Sequence, residues 1–318
     1  MLLLQFLEGG FLVGLLASGI RMSTPYLIAA LGETVGERAG VLNIGVEGLM
    51  LVGALAGFLG GHYTGNPWVG ALCGMAAASL LSCLHALLSV VLGGNQVVSG
   101  LATNLLAMGL ATFLIRALFG VTQTEPTSPT FATINIPGLS DIPFLGAVLF
   151  RQNVWVYASW ILVLVTWLAL FRSPWGLKVT AAGENPIAAE SAGVNVQATR
   201  FLAVVIGGAL SGLGGMLLSL SQLGFFRDDM VSGRGFIALA MVTMGRWNPV
   251  GVLWGSLIFG VADSLQFRLQ TTGALSFIPA QILISVPYLV AILVVLRKIG
   301  RQYMPSALAV PYRGSEQL

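Results

Sequence analysis

Long apolar runs, separated by short polar segments, follow one another along most of this 318-residue chain. A helix needs about 20 mostly apolar residues to cross the hydrocarbon core of a bilayer, and most of the runs approach or exceed that length. They are rich in Leu, Ala and Gly and lack the alternating pattern of a membrane β-barrel. We therefore predict an all-α, polytopic membrane protein with nine spans. The predicted spans are residues 9–31, 44–61, 67–92, 98–119, 153–171, 199–222, 232–246, 249–267 and 277–296.

Composition supports this class, because 56% of the residues are hydrophobic and only 8% are charged, against about 25% charged in soluble domains. Most side chains must therefore meet lipid or each other, and we expect residues 1–318 to form a single membrane domain. The net charge of +3 gives no reason to expect a nucleic-acid partner. Pairs of glycines four residues apart favour close helix crossings. These pairs are Gly57/Gly61, Gly70/Gly74, Gly208/Gly212 and Gly251/Gly255.

The distribution of Lys and Arg predicts the orientation, because cytoplasmic loops carry an excess of both. With the basic tail in the cytoplasm, connections 32–43, 93–97, 172–198 and 247–248 also face inward, and the N-terminus lies outside. The inward set is Arg38, Arg172, Lys178, Arg200, Arg246, Arg297, Lys298, Arg301 and Arg313. The outward set is Arg116, Arg151, Arg227, Arg234 and Arg268. The outward stretch 120–152 is rich in Pro, Thr and Ser and predicts a large loop.

Two parts of the chain resemble each other. "NPWVGALCGM" from Asn66 matches "NPVGVLWGSL" from Asn248. In the preceding spans, "EGLMLVGALAG" from Glu47 and "RGFIALAMVTMG" from Arg234 each start with a charged residue and a glycine. On the predicted topology the two copies enter from opposite sides, as in the inverted repeats of many transporters. The alternative is that Asn-Pro only marks two tight turns.

Polar side chains inside the predicted spans are candidates for a solute pathway. Asn43, Glu47, Asn95 and Asn104 form this set, and the glycines at 36–48 predict irregular backbone, which membranes tolerate only inside protein or beside a cavity. Uncharged amides suit a neutral polar solute, such as a sugar or nucleoside, better than an ion. Hydrogen bonding between helices is the alternative role, and Asn95 also fits a cytoplasmic turn. Glu47 and Asp263 are costly to bury, which favours a functional or paired role.

No constellation of catalytic or metal-binding residues stands out in the sequence. His62 and His85 fall near opposite ends of neighbouring spans, and Cys73 and Cys83 are about 15 Å apart along one predicted helix. Lys178 and Lys298 are the only lysines and neither belongs to a P-loop. We therefore expect a protein that is not an enzyme, with no metal or cofactor of its own.

The segment "GENPIAAESAGVN" predicts a short helix in an inward connection. Asn185 fits its N-cap, Pro186 its first turn and Gly193 its left-handed end. About seven helical residues, roughly 10 Å, cannot cross a membrane. The small side chains of Ala188, Ala189, Ser191 and Ala192 would fit a groove of another protein, with Glu184 and Glu190 at the rim. The alternative is an ordinary loop helix.

This segment resembles the coupling helix of ABC importer permeases, and "ERAGVLNIGVEGLMLVGA", Glu37 to Ala54, resembles an early signature of the same family. The resemblance covers nearly the whole chain and is closest to the branched-chain amino acid and ribose type. Within that type it is closest to the permeases for nucleosides and related simple sugars. It identifies residues 172–198 as the coupling loop. Carried over residue by residue, the coupling positions are Gly183, Glu184, Asn185, Pro186, Ala189 and Gly193.

The resemblance implies a multi-pass permease of the bacterial inner membrane. It would work with a separate ATPase that binds ATP and Mg, a second permease, with a heterodimer expected, and an extracytoplasmic binding protein. Two alternatives remain open: an ion-coupled secondary transporter of small polar solutes, and a membrane scaffold or channel.

Overall fold

The computed structural model describes residues 9–120, 126–271, 282, 285–290, 303–312 and 314. Within these residues most of the chain is helical and the two strands have three residues each, which confirms the all-α class. The helices are α1 Gly9–Arg38, α2 Val46–Thr64, α3 Pro67–Ala86, α4 Gln96–Phe119, α5 Leu145–Leu149, α6 Val154–Arg172, α7 Pro174–Glu184, α8 Pro186–Ser191, α9 Val196–Leu217, α10 Arg234–Met244 and α11 Pro249–Thr271. Short π-helical turns, Leu87–Val91 and Leu218–Leu223, continue α3 and α9. Two short antiparallel strands, β1 Thr133–Asn135 and β2 Arg151–Asn153, lie in the predicted outward loop.

Seven of the described helices are long and apolar enough to cross a bilayer: α1, α2, α3, α4, α6, α9 and α11. The predicted seventh span, 232–246, contains instead the 11-residue helix α10. Such a helix is only about 16 Å long, so it cannot cross alone. Most of the predicted ninth span, 277–296, lies outside the described residues, which include only 282 and 285–290 of it. The multi-pass architecture is thus confirmed, while the predicted number of nine spans is not.

The helix α9 lies at the centre of the bundle and packs against α1, α2 and α3. Glycines make these crossings possible, because a Cβ at Gly53 would overlap the backbone of Gly212, and one at Gly215 would overlap the carbonyl of Met50. The predicted pairs Gly57/Gly61, Gly70/Gly74 and Gly208/Gly212 all have neighbouring atoms where a Cβ would stand. Close backbone approach through small residues therefore holds this core together.

The four connections predicted to face inward lie together at one end of the bundle, here named the coupling face. The backbone of Gly183 packs on that of Arg38, and the Arg38 Nε donates to the Trp247 carbonyl at 2.8 Å. The backbone N–H of Leu42 donates to the Gln96 side chain at 2.8 Å. These contacts join connections 32–43, 93–97, 172–198 and 247–248, so the predicted grouping is confirmed.

The opposite face is defined by the far end of α9. The helix and its π-helical turn run 28 residues from Val196 to Leu223, or about 42 Å. There the Ser128 N–H donates to the carbonyl of Gly224, and Gly61, near the end of α2, packs on Ser128. The described part of the predicted 120–152 loop contains only short elements, as expected.

Candidate functional site: a coupling segment and a mid-membrane junction

The coupling segment, α7 with α8, is fixed by its own end caps. The Asn185 side chain accepts a hydrogen bond from the Ala188 N–H at 3.0 Å. Pro186 opens α8, and Gly193 has a φ of +83° directly after it. Each feature agrees with the sequence prediction because all three depend only on local backbone chemistry.

Burial divides the predicted coupling residues into two groups. Glu184, Asn185 and Gly193 are exposed, and Pro186 is half-buried. Gly183 and Ala189 face inward, and only 4% of Ala189 is exposed, where it packs with Ala182 and Val196. The expectation that Ala189 is presented outward is therefore wrong. The reason is that α8 is too short to stay in place unless one face packs on the helices behind it.

Residues near the C-terminus bind the same segment. The Ser306 hydroxyl and N–H both donate to the Glu184 carboxylate, at 2.9 and 3.2 Å, and the Tyr312 hydroxyl donates to Glu190. Burial and the neighbouring Glu190 carboxylate raise the pKa of the Tyr312 phenol, so it remains a proton donor at neutral pH. The carboxylates expected to serve as rim contacts for another protein are thus held by their own chain.

Two large aliphatic side chains are exposed on the segment. Leu177 is 71% exposed and Ile187 53% exposed, and Ala188, Ser191 and Ala192 beside Ile187 are also exposed. Exposed aliphatic side chains on a capped, braced helix are typical of a surface that meets another protein.

At the middle of the bundle, the first turns of α2 and α10 meet. The Glu47 carboxylate accepts hydrogen bonds from the N–H groups of Gly233 and Gly235, each at 2.7 Å. These donors belong to the start of α10, where backbone N–H groups lack partners within the helix. Glu47 of α2 therefore caps α10, and a Cβ at Gly235 would overlap the backbone of Glu47.

The depth of this junction follows from α1. Arg234, the first residue of α10, donates through Nε to the Tyr26 hydroxyl at 3.2 Å, and the Tyr26 hydroxyl donates to Asp263 of α11. Tyr26 is twelve residues before Arg38, which lies at the coupling face. Twelve helical residues span about 18 Å, so the junction lies near the middle of a hydrocarbon core of about 30 Å.

From this junction the two helices run to opposite faces. α2 ends beside Ser128 at the far face, whereas α10 ends beside Trp247, whose indole donates to Glu37 of α1. Asn66 and Asn248 then each accept a hydrogen bond at the start of the following helix. The repeat predicted from these segments thus corresponds to two similar units in opposite orientation, although Asn-Pro also marks turns in both.

The remaining predicted pathway residues form hydrogen bonds with backbone groups. The Asn104 amide accepts from the Gly48 N–H at 2.8 Å and donates to the Ile44 carbonyl at 2.9 Å. Asn43 lies in the non-helical segment before α2 and accepts from Gly45. The irregular backbone expected there is confirmed, so Asn43 and Glu47 do not share a continuous helix. Asn95 caps α4 at the coupling face and is exposed.

A cavity of about 390 Å³ adjoins the junction on the side away from the coupling face. It is lined by Tyr26, Leu223, Phe225, Arg227, Asp229, Met230, Ser232, Arg234, Ile237, Asp263, Gln266, Phe267, Gln270, Pro287 and Tyr288. None of the four predicted pathway residues lines it, although Glu47 binds the backbone of Gly233 between two lining residues. The sequence did carry a signal, because Gln266 and Gln270 are four residues apart at the end of an apolar run.

Comparison with known proteins identifies the family. The model of the branched-chain amino acid transport system permease component matches residues 15–296. The chain belongs to this permease family. Among the permease's relatives, the guanosine ABC transporter permease protein NupQ of Bacillus subtilis is 38% identical over 300 residues, covering 91% of this chain and 93% of NupQ.

Other relatives of this permease carry related names. The putative glucose ABC transporter permease protein TsgC13 of Haloferax volcanii is 41% identical over 265 residues, covering 82% of this chain and 79% of TsgC13. The nucleoside ABC transporter permease protein NupC of Lactococcus lactis is 32% identical over 305 residues, covering 94% of this chain and 96% of NupC. A second permease of the same named kind in B. subtilis and in L. lactis matches at 25% and 24% identity. No solved structure matches the chain.

Proposed function

We propose that this permease imports nucleosides as the membrane subunit of an ABC transporter in the bacterial inner membrane. The observation that carries the proposal is full-length similarity to guanosine and nucleoside permeases, together with the capped helix α8 on the coupling face. In this assignment the coupling face is cytoplasmic, in accordance with the predicted orientation, in which the inward connections, their margins and the tail carry nine Lys and Arg against five outside.

The partners follow from what this chain contains and exposes. The sequence has no P-loop, so ATP and Mg would bind to a separate ATPase that docks on Leu177, Ile187 and Ala188. A second, different permease would complete the membrane unit, since two bacteria with matching permeases each have two of them. An extracytoplasmic binding protein would deliver the solute to the far face.

The geometry supports a mechanical role for the coupling segment. The N–H of Ala307 donates to the Gly183 carbonyl at 2.8 Å, and the buried Arg200 donates to the Ala182 carbonyl at 3.1 Å. Gly183 also packs on the end of α1. A force applied to α8 by the ATPase would therefore reach α1 and α9 directly. Tilting of these helices would open the pathway to alternate sides.

Reconstitution tests this function. The permease, its ATPase, the second permease and the binding protein are placed in proteoliposomes, and uptake of a radiolabelled purine nucleoside is measured with and without ATP. We expect uptake that requires both ATP and the binding protein, and an ATPase that co-purifies with the permease. Uptake by the permease alone, driven by an ion gradient, would instead show a secondary transporter.

A simple sugar is the second candidate substrate. The observation in its favour is the 41% identity to a putative glucose permease. Radiolabelled glucose and ribose in the same vesicles decide between the two, because the substrate with the higher uptake rate at equal concentration is the preferred one.

A further inference from the structure

The cavity beside the α2–α10 junction combines features that a binding site for a small solute requires. Its volume of about 390 Å³ falls within the usual range for small-molecule sites, about 300–1,000 Å³. It is lined by residues of α1, α10 and α11, of the connection between α9 and α10, and by Pro287 and Tyr288. That connection follows the far end of α9, so this side of the cavity lies toward the far face.

The floor of the cavity is polar but carries no excess charge. Tyr26 donates to the Asp263 carboxylate and accepts from Arg234, and Arg234 also donates to the Met230 carbonyl at 2.6 Å. One cation and one anion are thus joined through a hydroxyl at mid-membrane depth. This arrangement favours a neutral polar solute, because a charged one would leave a net charge buried.

One wall presents amide groups. Gln266 and Gln270 lie one turn apart on α11 and both line the cavity. The Gln270 Nε2 is buried and has no hydrogen-bond partner among the described residues. A buried donor without a partner costs free energy, which the side chain would recover by turning toward a ligand acceptor in the cavity. The amide of Gln offers a donor and an acceptor side by side, the pattern that pairs with the edge of a purine.

Aromatic rings complete the lining. Phe267, beside Gln266 on α11, is 43% exposed, and Tyr288 is 44% exposed. Phe225 lies across the same cavity. Flat heterocyclic bases stack on such rings with little dependence on the base. A nucleoside base has such a flat face, so this lining suits a nucleoside.

We propose that the cavity is the site at which the permease holds its nucleoside during transfer, with the base stacked on Phe267 and its edge bound by Gln270. This inference rests on the proposed function and adds the residues that bind the base.

The test uses the complete transporter in proteoliposomes, with radiolabelled purine nucleoside as the probe. Phe267→Leu removes the ring and Gln270→Leu removes the amide, while Phe267→Tyr keeps a ring. Phe113→Leu is the matched control, because Phe113 is 66% exposed on α4 and does not line this cavity. We expect uptake to fall about tenfold in Phe267→Leu and about five- to tenfold in Gln270→Leu. Phe267→Tyr and Phe113→Leu should retain near-normal uptake.

Two further measurements distinguish a failure of this inference from a failure of the proposed function. Co-purification of the ATPase and its stimulation by the binding protein should be unchanged in the Phe267 and Gln270 variants. Normal nucleoside uptake by both leucine variants would overturn the inference and leave the proposed function intact. Loss of ATPase co-purification in these variants would also overturn it, since the residues would then be structural. Wild-type vesicles that import glucose but no nucleoside would overturn the proposed substrate itself.

Discussion

The coupling segment and the mid-membrane junction are held together in different ways. In the coupling segment, caps from residues close in sequence are reinforced by several contacts from residues 303–312. At the junction, the Glu47 carboxylate joins two helix starts that are 186 or more residues apart, and Tyr26 joins Arg234 to Asp263. The part that would receive force is therefore held by end caps and by the C-terminal segment. The part beside the cavity is held by polar groups that meet from four different helices.

The largest effect is expected at the junction. Glu47→Ala leaves the N–H groups of Gly233 and Gly235 without their acceptor, so we expect a loss of about 3 kcal/mol in stability and at least about a hundredfold lower uptake. The loss of stability is measured by the midpoint of thermal unfolding in detergent, and the loss of transport by uptake in vesicles. Glu47→Gln keeps one acceptor oxygen and should lose clearly less stability and uptake. Wild-type stability and uptake in Glu47→Ala would show that the cap is unimportant.

Asn104→Leu tests whether an amide beside the junction is structural. Asn104 is 6% exposed and binds the backbone on both sides of the start of α2. Loss of the amide should lower the stability by about 2 kcal/mol, which would appear as a lower midpoint of thermal unfolding and weaker assembly. Leu105→Ala, at a 71% exposed neighbour, is the control. Lower uptake with normal stability would instead place Asn104 in the pathway.

A charge on the outer side of α8 tests docking. Ile187→Glu should weaken co-purification of the ATPase about tenfold or more, because a buried apolar contact would be replaced by an unpaired charge. Tyr63→Glu changes a residue that is 63% exposed near the opposite face and should leave assembly unchanged. Ala189→Glu should disturb the segment itself, since Ala189 is buried. Full assembly of Ile187→Glu would argue against docking at this side of α8.

The smallest effect is expected from the bracing contacts. Tyr312→Phe removes the hydrogen bond to Glu190 but keeps the ring packed near Arg200. We therefore expect the stability to fall by about 1 kcal/mol. Limited trypsin cleavage at the exposed Lys178 should become a few times faster. Tyr303→Phe, on the same C-terminal segment, is the control. An unchanged cleavage rate would mean that residues 303–312 do not brace the segment.

Much of this architecture could be predicted because it depends on neighbours in sequence. Apolar runs of about 20 residues must form helices in a membrane, where backbone groups have no water to bind. Asn185, Pro186 and Gly193 define the ends of α8 through their own backbone preferences. Glycines four residues apart predicted the close crossings of α2, α3 and α9 for the same reason.

Only the tertiary structure decided which residues meet across the chain. That Glu47 caps α10, that Tyr26 joins Arg234 to Asp263, and that Ala189 faces inward all depend on segments far apart in sequence. Hydropathy records how apolar a segment is but not which polar groups must satisfy one another once water is excluded. The sequence by itself therefore determined a helical membrane permease with a short capped helix at α8, whereas the cavity beside the junction exists only because packing brings α1, α10 and α11 together.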